Sequence, residues 1–339
     1  MLSVPARGVR AARGASAPGI DAQGPDMAKY LITGGAGFIG CNLVRFVLEK
    51  GHEVVVVDNF ATGKRSNLAD VADRIDLIEG DIRDRATLDR ALAGCAAVFH
   101  EAALGSVPRS VEDPATSHDV NVNGTLNLLE AARAAGVRRV VFAASSSAYG
   151  ETAVSPKRED MPPTPISPYA AGKVACEAYM QAYAACYGME TLSLRYFNVF
   201  GPCQDPEGPY AAVIPAWVAR LLRERAPVVY GDGEQSRDFC YIENVCEANW
   251  LAAHAPSEVC TGQPINIACH RATTLNRILE LLGELMRTEV RAEYADPRPG
   301  DVRHSLADVA RAREVIGYEP KIFFDEGLRK AIDWYTANL

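Results

Sequence analysis

The chain has 339 residues, of which 48% are hydrophobic and 23% charged, with a formal net charge of -8. That length accommodates one large α/β domain with a smaller lobe, or two domains. The acidic balance leaves no basic footprint for nucleic acid or an anionic membrane surface, and no apolar run approaches the ~20 residues that span a bilayer.

Residues 1 to about 27 are rich in Ala, Arg, Gly and Pro, with no acid before Asp21. Such a start is compatible with a transit peptide. Pro5, Pro18 and Pro25 argue against an amphipathic helix, so residues 1–27 are expected to form a disordered extension, with Met27 as an alternative start.

Lys29 to Thr33 reads as a short buried strand, and Gly34-Gly35-Ala36-Gly37-Phe38-Ile39-Gly40 follows at once. The loop opens a helix with apolar residues at Leu43, Val44, Val47 and Leu48. Glycines spaced this way turn the chain tightly, let a pyrophosphate approach the backbone and let the helix pack on the sheet. The helix N-terminus offers its unpaired N–H groups to phosphate. Val54 to Val57 forms the next strand and ends at Asp58, where a carboxylate accepts the adenosine ribose hydroxyls of NAD. Lys64 and Arg65 keep an NADP alternative open.

The alternation continues with a strand at Ile75–Glu79 that exits through Gly80-Asp81-Ile82, where an acid can meet the adenine amino group. A helix is expected over Arg85 to Ala93, a strand at Ala97–His100, and a long amphipathic helix carrying Val120, Val122, Leu126, Leu129 and Ala132. Arg138 to Ala144 is then a strand that delivers Ser145-Ser146-Ser147. Repeated strand–helix units need right-handed crossovers and give a parallel sheet covered on both faces. Ligands gather at the carboxyl ends of such strands, which is where Gly34, Asp58, Asp81, Ala102 and Ser145 fall.

Pro168 at a helix start would put Tyr169 and Lys173 on one face, four residues apart. A phenol is ordinarily a poor base at neutral pH. A nearby lysine cation favours the phenolate, and a serine hydroxyl from a neighbouring strand end can complete a proton relay to a substrate hydroxyl. That helix should run to about Tyr187, followed by a strand at Glu190–Arg195. Beyond it the alternation weakens. Helices are expected over Val213–Arg223, Glu243–His254, Leu275–Met286 and Leu328–Trp334, separated by segments rich in Pro, Gly and Tyr. The nine scattered cysteines form no C-x-x-C pair, which suits a reducing compartment such as the cytoplasm. The six histidines show no ligand spacing, so no metal site is expected.

After Met27 nearly the whole chain resembles the extended short-chain dehydrogenase/reductases, specifically the nucleotide-sugar 4-epimerases. The residues that carry this are Gly34 to Gly40, Asp58-Asn59-Phe60, Gly80-Asp81-Ile82, Asn121 to Thr125, the serine cluster, Tyr169 with Lys173, Arg195 to Gly201, and Gly231 to Gly233 through Arg237-Asp238. Ala103 to Ser110 and Gln204-Asp205-Pro206 look like the subgroup acting on UDP-N-acetylhexosamines.

The resemblance implies a Rossmann-type doubly wound parallel sheet over residues 28–195, with returns from later segments. A smaller α/β substrate lobe would lie mainly in residues 196–339. It implies a tightly held NAD that is regenerated each turnover, and a catalytic set of Ser145, Tyr169 and Lys173. The residues implied to hold the cofactor are Gly34, Gly37, Phe38, Ile39, Gly40, Asp58, Asn59, Gly63, Asp81, Ile82, Ala102, Ala103, Asn121, Tyr169, Lys173 and Phe197. Those implied to meet the UDP-sugar are Gly105, Ser106, Ser145, Ser147, Asn198, Gln204, Val213, Tyr230, Arg237, Arg298 and Ser305. Arg237 and Arg298 would bind the diphosphate, which guanidinium forks suit. Ser305 aligns with a gatekeeper that is a tyrosine in enzymes restricted to UDP-glucose and UDP-galactose, so a 2-acetamido group should fit; Gly105 points the same way. Ser147 occupies the place of a glutamate used by related dehydratases and decarboxylases, which favours epimerisation. The alternatives are a UDP-glucose or uronic-acid epimerase, a nucleotide-sugar reductase, and a non-catalytic NAD-sensing protein on the same fold. The family also implies a homodimer through a four-helix contact involving the helix from Tyr169.

Overall fold

The computed structural model describes residues 27–207, 211–297 and 303–338. Arg298 and the expected N-terminal extension up to residue 26 therefore lie outside the described residues.

Seven strands form one parallel sheet. Six come in chain order: β1 (Lys29–Thr33), β2 (Glu53–Asp58), β3 (Ile75–Glu79), β4 (Ala97–His100), β5 (Arg139–Ser145) and β6 (Glu190–Tyr196). The seventh, Thr261–Ile267, lies outside β6, giving the spatial order seventh-β6-β5-β4-β1-β2-β3. The strands β1, β2, β4 and β5 are near-continuous buried, mostly apolar runs because both faces are covered. Val54 to Val57 in β2, for example, are all buried. Helix α1 (Phe38–Glu49) and the helix Ile242–Ala253 cover one face, while α2 (Arg85–Ala91), Gly124–Ala135 and Pro168–Tyr187 cover the other. The order reverses between β1 and β4, and the crevice at that switch point is where ligands bind in open α/β sheets.

The seventh strand has no counterpart among the elements read from the sequence. Gly262 and Pro264 interrupt its pattern, and its register against β6 shifts between Thr261 and Pro264. A proline is tolerated there because the strand is at the sheet edge. The long helix expected around Val120 to Ala132 runs instead as Pro114–His118, a π-helical turn at Asp119–Asn123, and Gly124–Ala135. The last helix is longer than expected, Phe324–Asn338.

The rest of the chain after β6 builds small sheets from distant segments. Ser236–Asp238 pairs with Ala272–Thr274 on one side and with His304–Ser305 on the other. Val228–Tyr230 pairs with Glu293–Ala295, and Val199–Phe200 with Cys240–Tyr241. The Asp238 carboxylate joins this layer to the sheet's end, accepting from the main-chain N–H groups of Cys269 at 2.9 Å and Ala307 at 3.2 Å.

Candidate active site

The glycine loop is shaped by contacts that allow no side chain. Gly34 has a φ of +69°, and a Cβ on it would stand 2.7 Å from the Ala102 backbone. A Cβ on Gly40 would stand 2.2 Å from the Gly34 carbonyl oxygen. Helix α1 begins after Gly37 with no side-chain cap, so its first N–H groups are open to an anion. Asp58 closes the next strand with both carboxylate oxygens anchored, accepting from Ala36 N at 2.9 Å and Phe60 N at 2.8 Å. Gly63 packs against it, where a Cβ would come within 3.0 Å of Asp58 Oδ1. Asp81 accepts from Asn59 Nδ2 at 2.8 Å, and the Arg83 guanidinium holds its carboxyl down at about 2.

The cations that kept NADP open are paired with acids. Lys64 binds Asp205 at 2.7 Å. Arg65 pairs with Glu79 and lies over the Phe60 ring.

At the other end of the crevice, Ser167 caps the helix Pro168–Tyr187, accepting from Ala170 N at 3.2 Å. The main-chain N–H of Tyr169 donates to Ser110 Oγ at 3.0 Å. Lys173, four residues on, is buried and donates from Nζ to the Ala143 carbonyl at 2.6 Å. Its ammonium lies 5.8 Å from the centre of the Tyr169 ring. Ser145 ends β5, and its Oγ accepts from Ser147 Oγ at 2.9 Å and Ser147 N at 3.2 Å. With its acceptor sites so engaged, the Ser145 hydroxyl is left to act as a donor.

One cavity of about 710 Å³ joins these ends. Its wall contains Gly34, Gly37, Phe38, Ile39, Gly40, Asp58, Asn59, Asp81, Ile82, Ala102, Ala103, Gly105, Ser106, Tyr169, Lys173 and Gln204. A second cavity of about 270 Å³ is lined by Asn198, Val213, Tyr230 and Arg237, and shares Ala211 and Ala212 with the first.

Other nominated residues stand back from both walls. Asn121 sits in the π-helical turn with its amide turned to Leu104, accepting from Leu104 N at 2.8 Å and donating to Leu104 O at 3.3 Å. It thereby fixes the main chain of a residue that does line the cavity. The Phe197 side chain is buried with Tyr149, Ala268, Ala307 and Val309. Ser145, Ser147 and Gly63 are in neither lining. Ser305 pairs in register with Arg237.

Glu101, Tyr196, Arg83 and Asp205 also line the larger cavity and were not among the binding residues expected from the sequence, although Asp205 lies in the Gln204-Asp205-Pro206 motif. Glu101 carried a usable signal, as an acid at the ligand-facing end of β4. Tyr196 did not, since its place depends on how β6 sits beside β5. Among the described residues, no group of three His, Cys, Asp or Glu is placed to hold a metal ion.

The glycine cradle, the bare helix start and the anchored acid at the end of β2 fit a dinucleotide. Comparison with known proteins agrees. A UDP-glucose 4-epimerase of Mycolicibacterium smegmatis is 39% identical over 316 residues, covering 91% of this chain and 98% of that protein. A solved UDP-N-acetylglucosamine 4-epimerase from Methanobrevibacter ruminantium, in complex with UDP-N-acetylmuramic acid, has a TM-score of 0.87 at 38% identity, covering 92% of this chain and 99% of that one. The Thermus thermophilus UDP-glucose 4-epimerase in complex with NAD gives 0.82 at 37% identity, covering 92% and 100%. The sequence pattern of the NAD dependent epimerase/dehydratase family matches residues 30–268, and the chain belongs to that family.

Proposed function

We propose that this protein is an NAD-dependent nucleotide-sugar 4-epimerase that interconverts UDP-GlcNAc and UDP-GalNAc through a transient 4-keto sugar. The observation that carries the reaction is the meeting of Tyr169, Lys173 and the end of β5 at one end of the cavity that has Asp58 at its other. Residues 28–195, with the return at 242–267, hold NAD, and most of residues 196–339 carry the sugar nucleotide.

Bound NAD supplies a reversible hydride acceptor for the sugar C4. The chain's own part is proton transfer and positioning. Tyr169 takes the proton of the sugar 4-hydroxyl, with Ser145 bridging, and returns it after the keto sugar has turned over its other face. Lys173, held by Ala143 O, sets a fixed positive charge beside the phenol. Arg237, with Arg298, binds the diphosphate. Asn198, Gln204, Val213, Tyr230, Gly105, Ser106 and Ser147 surround the rest of the substrate. The finer choice of sugar rests on Ser305, a small residue in register with Arg237, at a position where the resemblance implies room for a 2-acetamido group. The relatives named for UDP-glucose favour a second reading, the UDP-glucose/UDP-galactose epimerase.

The test is proton NMR of purified protein with UDP-GlcNAc and UDP-glucose separately, no cofactor being added. UDP-GalNAc forming faster than UDP-galactose is the expected result. UDP-galactose alone keeps the mechanism and overturns the choice of sugar; no turnover of either overturns the choice of sugar and moves the test to UDP-uronic acids, whose failure would leave the non-catalytic NAD-sensing reading. Exposed Val111 and Tyr179, on helices that pack together, support a homodimer through this face, which sedimentation would measure.

A further inference from the structure

Glu101 is an acid in the cofactor cavity that the mechanism above does not use. Its main-chain N–H donates to Thr33 O at 3.2 Å, which holds it at the ligand edge of the sheet. Its side chain spans from the end of β4, past β5, to the end of β6, where the Tyr196 hydroxyl donates to Oε1 at 2.8 Å. The buried Asn249 donates from Nδ2 to the same hydroxyl at 2.8 Å. An amide NH₂ can only donate, so the Tyr196 proton is directed to Glu101. Among the described residues no hydrogen bond engages the other carboxylate oxygen, and Glu101 lines the cavity together with Tyr169 and Lys173. A carboxyl is thus fixed by one oxygen and open by the other, at the catalytic end rather than the adenosine end.

The charged and titratable groups facing it come from three elements. They are Tyr196 on β6, Lys173 on the helix Pro168–Tyr187, and Cys246 on the helix Ile242–Ala253. Burial pushes the Tyr196 phenol and the Cys246 thiol well above their ordinary ranges, so both stay neutral near pH 7. Burial also pushes Glu101 up to about 7, against the opposing pull of the Tyr196 hydrogen bond and the Lys173 charge. Glu101 therefore changes charge in the range where the enzyme would work.

The oxidised nicotinamide ring is a cation, and hydride addition makes it neutral. A carboxylate held beside the ring favours the cationic form. The geometry points to Glu101 as a residue that poises the bound dinucleotide towards its oxidised form and takes up a proton when the ring becomes neutral. During turnover the hydride comes from the sugar and returns to it, so the Glu101 proton is returned to solvent and the cycle balances. A poise of this kind matters to an epimerase, because a cofactor left reduced after escape of the keto sugar cannot start another cycle. The inference rests on the cofactor reading and not on which sugar is used.

The test is a redox titration of the holoenzyme and of Glu101→Gln, with a reduced viologen as electron donor, and a trace of free NAD with a diaphorase to convert its single electrons into hydride on nicotinamide that exchanges with the bound dinucleotide. The near-ultraviolet absorbance of reduced nicotinamide is followed from about pH 6 to about pH 8, on either side of the Glu101 transition. Reduction of the ring consumes two electrons and one proton; ionised Glu101 takes a second proton from solvent. At fixed potential the reduced-to-oxidised ratio should fall by about tenfold per pH unit for one proton, and by up to about a hundredfold where Glu101 joins. Wild type should show the steeper segment. Glu101→Gln should stay near tenfold throughout, with a ratio at least about threefold higher at the alkaline end, where Glu101 would be ionised. Tyr196→Phe, which removes the bond that favours the carboxylate, should move the steep segment to higher pH. A tenfold slope throughout in wild type overturns the proposal without any variant, and so does an unchanged profile in Glu101→Gln. Chromatography of nucleotide released from wild type separates the two levels: protein that neither carries nor takes up a dinucleotide overturns the cofactor reading, and this proposal with it.

Discussion

The two sides of the crevice are built by different means. On the dinucleotide side, the wall consists of strand ends and main chain. The turn at Gly34, the bare start of α1 and Asp58 come from one stretch of about 25 residues, the span of a single β-α-β unit. On the proposed sugar side, Arg237 and Ser305 are neighbours in register only because two short strands, 68 residues apart at Ser236 and His304, pair in parallel. The core of the first side is assembled within one unit of the chain. The second depends on segments that must find each other.

The largest effect should come where the two sides meet. Tyr169→Phe keeps the ring and removes the proton acceptor, so kcat should drop by about 10²–10⁴-fold while bound NAD remains. Full activity in that variant would remove Tyr169 from its assigned role. Next comes Glu177, on the same helix, whose two oxygens accept from buried Arg195 on β6 at 2.8 and 2.7 Å. Glu177→Leu leaves a guanidinium buried without its counter-charge and should cost about 3–5 kcal/mol in chemical denaturation. Unchanged stability would mean that the buried Arg195 charge does not depend on Glu177.

On the sugar side, Asp238 gives a pH signature. Burial pushes its carboxyl up to about 6 from an ordinary value of 3.8. The folded state then keeps a proton that the unfolded chain releases between those values. This contribution to stability is complete below the lower value and is lost as pH rises through the upper one. Asp238→Asn should flatten the slope of stability over that window by at most about 1.4 kcal/mol per pH unit, measured as urea midpoints. An identical slope would mean that Asp238 does not titrate there. The smallest effect expected is one of selectivity. Ser305→Tyr should lower kcat/KM for UDP-GlcNAc by about tenfold or more relative to UDP-glucose, leaving the melting temperature and bound NAD unchanged. An unaltered ratio would release Ser305 from the pocket.

Glu101 shows what the sequence withheld. Its identity and position at a strand end are plain from the chain, yet its partner Tyr196 comes from β6, 95 residues later, and Asn249 from a helix beyond that. The seventh strand was hidden for a related reason. Thr261–Ile267 contains Gly262 and Pro264, and it becomes a strand through pairing with β6 at the sheet's edge. Asn121 was recognisable as a member of a family motif, but its work on the Leu104 main chain depends on a π-helical turn that periodicity does not reveal.

The sequence by itself determined the parallel sheet, the glycine cradle, the acid that follows it and the Tyr169–Lys173 spacing. Each is set within one strand, one turn or one helix, where hydrophobic period, glycine freedom and capping act over a few residues. Tertiary structure alone decided that Lys64 and Arg65 would be occupied by Asp205 and Glu79, that Glu101 would meet Tyr196, and that Ser305 would stand beside Arg237. Those arrangements come from the packing of segments distant in the chain, and local propensity carries no information about which distant partner arrives.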